Sequence, residues 1–327
     1  MPGKVYVSRE LPPKVMETLR AAAEISGLGV NQHDRPVSRS ELMEGTRWCD
    51  VLVSQLIDRI DAEMFDVNPR LKLVANYAVG FDNIEIAEAS RRRIPVSNTP
   101  GVLTETTADL TWALIMSVAR RVVGADTFMR AGKYEGWAPM LHLGQDVYGK
   151  TLGIVGLGRI GYAVAKRAGG FSMRVLYSDV EQKPYDQEVK ATFVDFETLL
   201  RESDFLTLHP FLDSGSRHLI DEPQLRMMKR TAYLINTSRG PVVNERALVK
   251  ALQEGMIAGA GLDVYEREPK MEPELAKLES AVVLPHIASA TTETRTAMGM
   301  IVVENTLAAL RGERAPTCVN PKVYDRD

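Results

Sequence analysis

Three residues of different chemistry stand just past apolar runs in the second half of the chain. Arg239 closes Leu234-Ile-Asn-Thr-Ser-Arg239 and is followed by Gly240; Glu268 follows Gly261-Leu-Asp263-Val-Tyr-Glu-Arg; His286 closes Val282-Val-Leu-Pro285. An arginine presents a planar fork of donors that matches a carboxylate. A histidine exchanges a proton near neutral pH, and a carboxylate beside it orients the ring and favours its protonated form. Such a set suits the reduction of a 2-oxo acid: Arg239 on the acid group, His286 donating a proton to the carbonyl oxygen, Glu268 as its partner. Each residue alone has a plainer reading, as a surface arginine, a satisfied core histidine or a solvated acid. Their shared place at strand ends, downstream of a glycine-rich turn, is what joins them.

That turn is Thr151-Leu-Gly-Ile-Val-Gly156-Leu-Gly158-Arg159-Ile160-Gly161. It follows an apolar strand and opens an amphipathic helix, the setting a dinucleotide-binding fingerprint requires. Gly156 permits the tight turn, Gly158 the approach of a pyrophosphate, and Gly161 close helix packing. The amides of Arg159 and Ile160 then face phosphate charge at the helix N-terminus. The next strand ends in Asp179, about 20 residues on, where an acid accepts ribose hydroxyls and repels a 2′-phosphate. NAD (as NADH) is therefore expected, with NADP as the alternative because Lys183 follows in the loop. His209 ends another strand near the cofactor, Thr237 precedes Arg239, and Asp263 ends a strand; all three are expected at the cofactor, and Asp263 serves equally as a brace for His286 or as an N-cap. His33, His142 and His218 are weaker candidates, and no His, Cys, Asp or Glu cluster has metal-ligand spacing.

Residues so placed need parallel strands with helices between them. Apolar runs at 4–8, 51–54, 71–76, 94–98, 151–156, 174–178, 205–209, 232–237, 259–263 and 281–285 alternate with helical stretches such as 13–23 and 40–45. This is the pattern of an α/β fold with sheets covered on both faces. A helix from Thr104 to about Arg121 puts Leu110, Ala113, Leu114 and Val118 on one face, and Trp112, Ile115, Met116 and Ala119 on others. It is expected to be buried on two sides, as an interdomain core helix or as a bridge across a dimer. The last helix, 292–310, has no further strand to serve in the second sheet and is expected to return to the first domain. The 327 residues, 45% apolar and 25% charged, suffice for two domains. A net charge of −3 with mixed signs points away from nucleic acid and anionic membranes. The absence of an apolar leader or a spanning segment, and two separated cysteines, Cys49 and Cys318, give the expectation of a cytoplasmic protein with inert thiols.

With these residues in place, the chain resembles the D-isomer-specific 2-hydroxy-acid dehydrogenases over nearly its whole length, and within them the glyoxylate/hydroxypyruvate reductases. The matching segments are Val74-Ala-Asn-Tyr-Ala-Val-Gly80-Phe-Asp82-Asn83, Asn98-Thr-Pro-Gly-Val-Leu-Thr-Glu-Thr-Thr-Ala108, the glycine turn, Asn236-Thr-Ser-Arg239-Gly240, Gly259-Ala-Gly-Leu-Asp-Val-Tyr-Glu266 with Glu268-Pro269, and Pro285-His286-Ile-Ala-Ser-Ala-Thr291. The resemblance implies Arg239, Glu268 and His286 as the catalytic trio, the Val79 and Gly80 amides on the substrate carboxylate, and Leu56 near its small substituent. It implies two doubly wound parallel-sheet domains: a Rossmann cofactor domain over 100–286, and a flavodoxin-like, discontinuous substrate domain over 1–99 and 287–327. It further implies a homodimer joined through the cofactor domain. Two departures stand out: His209-Pro210-Phe211-Leu212 displaces a proline of the usual His-x-Pro-Leu, and Ala288 replaces a usual glycine. Other acids of the same family, 3-phosphoglycerate or phosphite, are rivals. Phosphoglycerate enzymes commonly add a regulatory domain, and phosphite enzymes carry a lysine where this chain has Tyr77-Ala78-Val79. Formate enzymes pair the histidine with glutamine rather than Glu268. Corepressor-like dinucleotide sensors carry long interaction tails that this sequence lacks.

Overall fold

The structure, a computed structural model, describes residues 3–25 and 35–325; His33 lies outside the described residues. The elements run β1 (Lys4–Val7), α1 (Pro13–Ala22), β2 (Glu24–Ile25), α2 (Arg39–Trp48), β3 (Val51–Ser54), α3 (Ala62–Asp66), β4 (Leu73–Asn76), α4 (Ile86–Arg91) and β5 (Val96–Ser97). They continue as α5 (Thr104–Ala119), α6 (Val122–Arg130), β6 (Thr151–Val155), α7 (Arg159–Ala168), β7 (Arg174–Ser178), β8 (Ala191–Phe193), α8 (Phe196–Glu202) and β9 (Phe205–Leu208). The chain ends through α9 (Glu222–Met227), β10 (Tyr233–Asn236), α10 (Glu245–Gln253), β11 (Gly259–Leu262), β12 (Ala281–Val283) and α11 (Thr292–Leu310). Two compact units result, residues 1–103 with 290–327, and residues 104–289.

The first unit holds a five-stranded sheet in the order β2-β1-β3-β4-β5. Its pairs are parallel, with Val5 opposite Val51 and Leu52 opposite Val74. Val5, Val7, Val53 and Ala75 face α1 and α11, through Val15, Leu19, Met298 and Val302. Tyr6, Leu52, Val74 and Val96 face the other way, onto Leu42, Met64, Phe65 and Ala89. Every one of these strands is buried on both sides, which is why each reads as an unbroken apolar run. The order reverses at β1 and β3, the crevice where open α/β sheets take ligands.

The second unit holds a seven-stranded parallel sheet, β12-β11-β10-β9-β6-β7-β8. Here β6 lies between β7 and β9, with Leu152 opposite both Val175 and Phe205, so the reversal falls between β6 and β9. One face packs on α5 and α7 through Leu114, Ile115, Val118, Ala163 and Val164. The other packs on α8, α9 and α10 through Leu199, Leu225, Leu248 and Leu252. Within α5, Ala113 is exposed and Leu110 and Met116 are half-buried, so the apolar surface is less complete than the pattern predicts. The helix stops at Arg121, which takes a left-handed φ of 53° and redirects the chain into α6. The short strands β2 and β8, two and three residues long, are absent from the sequence-based pattern. No helix among the described residues is long and apolar enough to cross a membrane.

Candidate active site

At the sheet reversal of the second unit, Gly156 takes a φ of +86°, and a Cβ there would lie 3.0 Å from the His209 carbonyl oxygen. A Cβ on Gly161 would fall 2.2 Å from the Gly156 carbonyl oxygen, so α7 can seat this close to the turn only with glycine. Gly158 is the N-cap of α7, has no side-chain cap, and faces open space. Arg159 and Ile160 form the first turn, whose amides carry the positive end of the helix dipole. Uncapped amides, an open cradle and an acid on the next strand fit a dinucleotide pyrophosphate and ribose. That acid, Asp179, accepts from the Leu157 amide at 2.9 Å and the Val180 amide at 2.7 Å. The Lys183 ammonium lies 3.4 Å from it, a direct pair that tempers its repulsion of a phosphate. The Tyr185 hydroxyl donates to the Leu157 carbonyl at 2.9 Å and steadies the same turn.

The three strand-end residues come together along the carboxyl edge of the same sheet. His286 follows β12 with a left-handed φ of 55°, rare for a residue with a Cβ and a mark of a constrained site. Its Nδ1 faces Glu268 Oε2 at 2.8 Å, and both side chains are partly exposed. Glu268 Oε1 accepts from the Tyr265 amide at 3.1 Å. Asp263, fully buried at the end of β11, accepts from the Ile287 and Ala288 amides at 2.7 and 2.8 Å, while its carbonyl accepts from the His286 amide at 2.9 Å. Burial raises the Asp263 carboxyl above the usual range, against these amides and the nearby imidazole, which lower it. Asp263 thus holds the turn that presents His286. Arg239 extends from the end of β10, with Nη1 on the Ser238 carbonyl at 2.8 Å. A Cβ on its neighbour Gly240 would collide with the Tyr265 backbone at 1.8 Å, so the arginine turn and the loop before Glu268 touch through main chain.

The other expected residues of this unit sit nearby in chain order but differ in what they touch. The Thr237 hydroxyl meets the Thr111 hydroxyl of α5 at 2.9 Å. His209 contacts Thr207 Oγ1 at 3.0 Å, and burial pushes its pKa down to about 3, so it is a neutral ring. His142 packs edge-on against Phe128. His218 pairs with Glu266 at 2.9 Å; that contact depends on a loop returning from α9's N-terminal side and left no local trace in the sequence. No group of three potential metal ligands occurs among the described residues.

In the first unit, Leu56 follows β3, and Val79 and Gly80 lie on the turn after β4. Asn98 Nδ2 donates to the Val79 carbonyl at 2.8 Å and Asn76 Nδ2 to the Gly80 carbonyl at 2.8 Å. The Ser54 hydroxyl in turn donates to Asn76 Oδ1 at 3.1 Å. Among the described residues neither the Val79 nor the Gly80 amide has an acceptor, while both carbonyls of this turn are held by asparagine side chains.

Comparison with known proteins matches this geometry to a family. The family profile described as D-isomer specific 2-hydroxyacid dehydrogenase, NAD binding domain, fits residues 112–288. A glyoxylate reductase of Korarchaeum cryptofilum (strain OPF8) is 52% identical over 99% of this chain and 97% of its own. A crystal structure of a protein from Thermus thermophilus superposes with a TM-score of 0.90 at 43% identity, covering 97% of this chain and 99% of that one. An NADPH-dependent glyoxylate/hydroxypyruvate reductase from Sinorhizobium meliloti, in complex with NADP and malonate, gives a TM-score of 0.86 at 30% identity over 100% and 99% of the two chains. With a glycine turn, an arginine and a paired histidine on one sheet edge, and full-length kinship of this order, the chain belongs to the D-isomer specific 2-hydroxyacid dehydrogenases.

Proposed function

We propose that this enzyme reduces glyoxylate, and hydroxypyruvate as its near analogue, to the D-2-hydroxy acid. The observation that carries the reading is the His286–Glu268 pair, 2.8 Å apart on the edge that also bears Arg239 and the glycine turn. NADH, held by Gly156, Gly158, Gly161 and Asp179, supplies the hydride when bound. Arg239 binds the substrate carboxylate as a fork of donors. The Val79 and Gly80 amides are assigned to the same carboxylate, with Leu56 beside the small substituent. His286 donates its Nε2 proton to the oxygen of the reacting carbonyl, while Nδ1–H donates to Glu268 and keeps the ring oriented. Thr237 and His209 are assigned to the cofactor side, and Asp263 supports His286 from behind.

A panel of glyoxylate, hydroxypyruvate, pyruvate, 3-phosphoglycerate and phosphite, with NADH and then NADPH, tests the reading by cofactor turnover. Preference for glyoxylate or hydroxypyruvate with NADH is the expected result. Binding of NADH without turnover of any acid would remove the catalytic assignment.

We also assign the protein a homodimeric state. In α6 no residue is buried, and the segment around it exposes Val122, Val123, Met129, Trp137, Met140 and Leu143. Trp137 at 83% and Met140 at 76% exposed are costly on an isolated surface, and a second copy of the same face would cover them. Light scattering should return twice the chain mass; a single-chain mass would end this assignment. A cytoplasmic location accords with the two cysteines, both free thiols.

A further inference from the structure

Glu245 is the first residue of α10, is only 5% exposed, and takes no part in the assignments above. Its Oε2 accepts from the Glu266 amide at 2.9 Å and its Oε1 from the Glu272 amide at 2.6 Å. Those two amides bracket Glu268 along the chain. A carboxylate taken out of water is tolerated only when its oxygens are satisfied, and here both are spent on the backbone of this one loop. Glu266 returns the contact: Oε2 accepts from the Glu245 amide at 3.4 Å, and Oε1 meets His218 at 2.9 Å and Arg217 at 3.6 Å. Tyr265 adds a tie to the strand before His286, its hydroxyl donating to the Leu284 carbonyl at 2.8 Å. The loop that presents Glu268 is thus held at both ends by one buried side chain.

We propose that Glu245 is a positioning residue for proton transfer: by clamping the 266–272 loop it sets where Glu268 meets His286. The proposal rests on the roles given above to Glu268 and His286. Glu268 Oε2 meets the imidazole directly, Arg239 lies on the same sheet edge, and Asp263 already serves the amides of Ile287 and Ala288. Any slack in the 266–272 loop therefore falls on the Glu268 contact. The imidazole then loses part of the carboxylate contact that orients it for proton transfer.

Glu245→Gln keeps the shape but replaces one acceptor with an NH2 that confronts an amide N–H. The expected result is a fall in kcat of about 10-fold or more, since small misplacements at a reacting centre are costly. The KM for NADH should stay within about twofold, because the glycine turn is untouched. In a Glu268→Gln background the same substitution should have no further effect, as two residues acting through one contact do not add. Glu272→Pro is a second variant: residue 272 has a φ of −60°, which proline adopts, so the donated N–H is lost, together with the pair of the Glu272 carboxylate and Arg246 Nε at 3.1 Å. It should lower kcat with the KM for NADH likewise kept, and it decides the matter if Glu245→Gln does not fold. A wild-type rate in the variant that folds, or additive losses in the Glu268→Gln background, would overturn the clamp. If Glu268→Gln and His286→Ala themselves turn over at the wild-type rate, the roles of those two residues fail instead. Crippled Glu268→Gln and His286→Ala beside an active Glu245→Gln would remove only the positioning role.

Discussion

The carboxyl edges of the two sheets lean on different supports, although each holds one example of the other's kind: Asp58 accepts from the Gln55 amide at 2.7 Å in the first unit, and Asn236 Nδ2 donates to the Arg239 carbonyl at 2.9 Å in the second. In the first unit, side-chain amides pin carbonyls: Asn98 holds that of Val79, Asn76 that of Gly80, and Asn83 those of Gln55 and Asp58. Among the described residues the Val79 and Gly80 amides are left without an acceptor. In the second unit, buried carboxylates pin amides: Asp263 holds Ile287 and Ala288, and Glu245 holds Glu266 and Glu272. What this leaves facing outward is charged side chain, Arg239, Glu268 and His286. A fixed edge of neutral donors can recognise an anion without changing protonation. An edge of titratable groups can pass a proton, and it needs negative supports that hold backbone without competing for the imidazole.

If that division is right, damage to the second edge should fall on rate and damage to the first on binding. His286→Ala should cost most, lowering kcat by about 100- to 10,000-fold, the usual worth of a general acid, while NADH titration by fluorescence stays unchanged. Retained turnover would move the proton role elsewhere. Arg239→Ala should lower kcat/KM for glyoxylate by about 10- to 100-fold, the range for losing charge-assisted hydrogen bonds, and an unchanged value would refute its hold on the acid group. Asn98→Ala frees the Val79 carbonyl and should raise the KM for the acid by about three- to tenfold with a smaller change in kcat. A drop in kcat alone would instead blur the contrast between the two edges. His209 is the neutral exception on the charged edge and offers the mildest test, through stability. Its folded pKa of about 3 lies below the unfolded value of about 6.5, so the unfolded chain binds the extra proton between them. Stability from this group is full above about pH 6.5 and lost as pH falls toward 3. His209→Asn should therefore flatten the acid decline of the melting temperature, and a parallel decline in both proteins would assign that loss to other groups.

Much of the second edge was readable from residue order alone. Arg239, Glu268 and His286 each follow a continuous apolar run, and the glycine turn sits where β6 gives way to α7, so local pattern was enough. The supports were not readable. Glu245 looks like any acid in the first turn of a helix, a place acids favour for the dipole, and only the folded chain brings the Glu266 and Glu272 amides onto it. The left-handed φ of His286 and the His218–Glu266 pair are likewise made by distant chain. In the first unit the asparagines gave no signal for the same reason: Asn98 lies beyond β5 and reaches back to the turn after β4. Ala113, placed by the pattern on an apolar face of α5, is exposed. Strands as short as β2 and β8 carry too few residues to show any periodicity.

The discontinuity of the first unit has a consequence for the order in which the chain acquires its structure. The second unit is built from one uninterrupted stretch, 104–289, so all its strands are available once that stretch has been made. The first unit begins earlier but waits longer. Val5, Val7, Val15 and Leu19 share their apolar cluster with Met298, Val302 and Val303, and β5 is sealed by a bridge from Ser97 to Cys318 and by Asn320 accepting from the Val96 amide at 2.8 Å. During synthesis α1 covers part of this face of the nascent N-terminal sheet, and the rest stays bare until α11 emerges, making it the segment that chaperones would be expected to shield. Prior collapse of the intervening 104–289 stretch shortens the effective tether between the two halves and lowers the entropy of bringing them together.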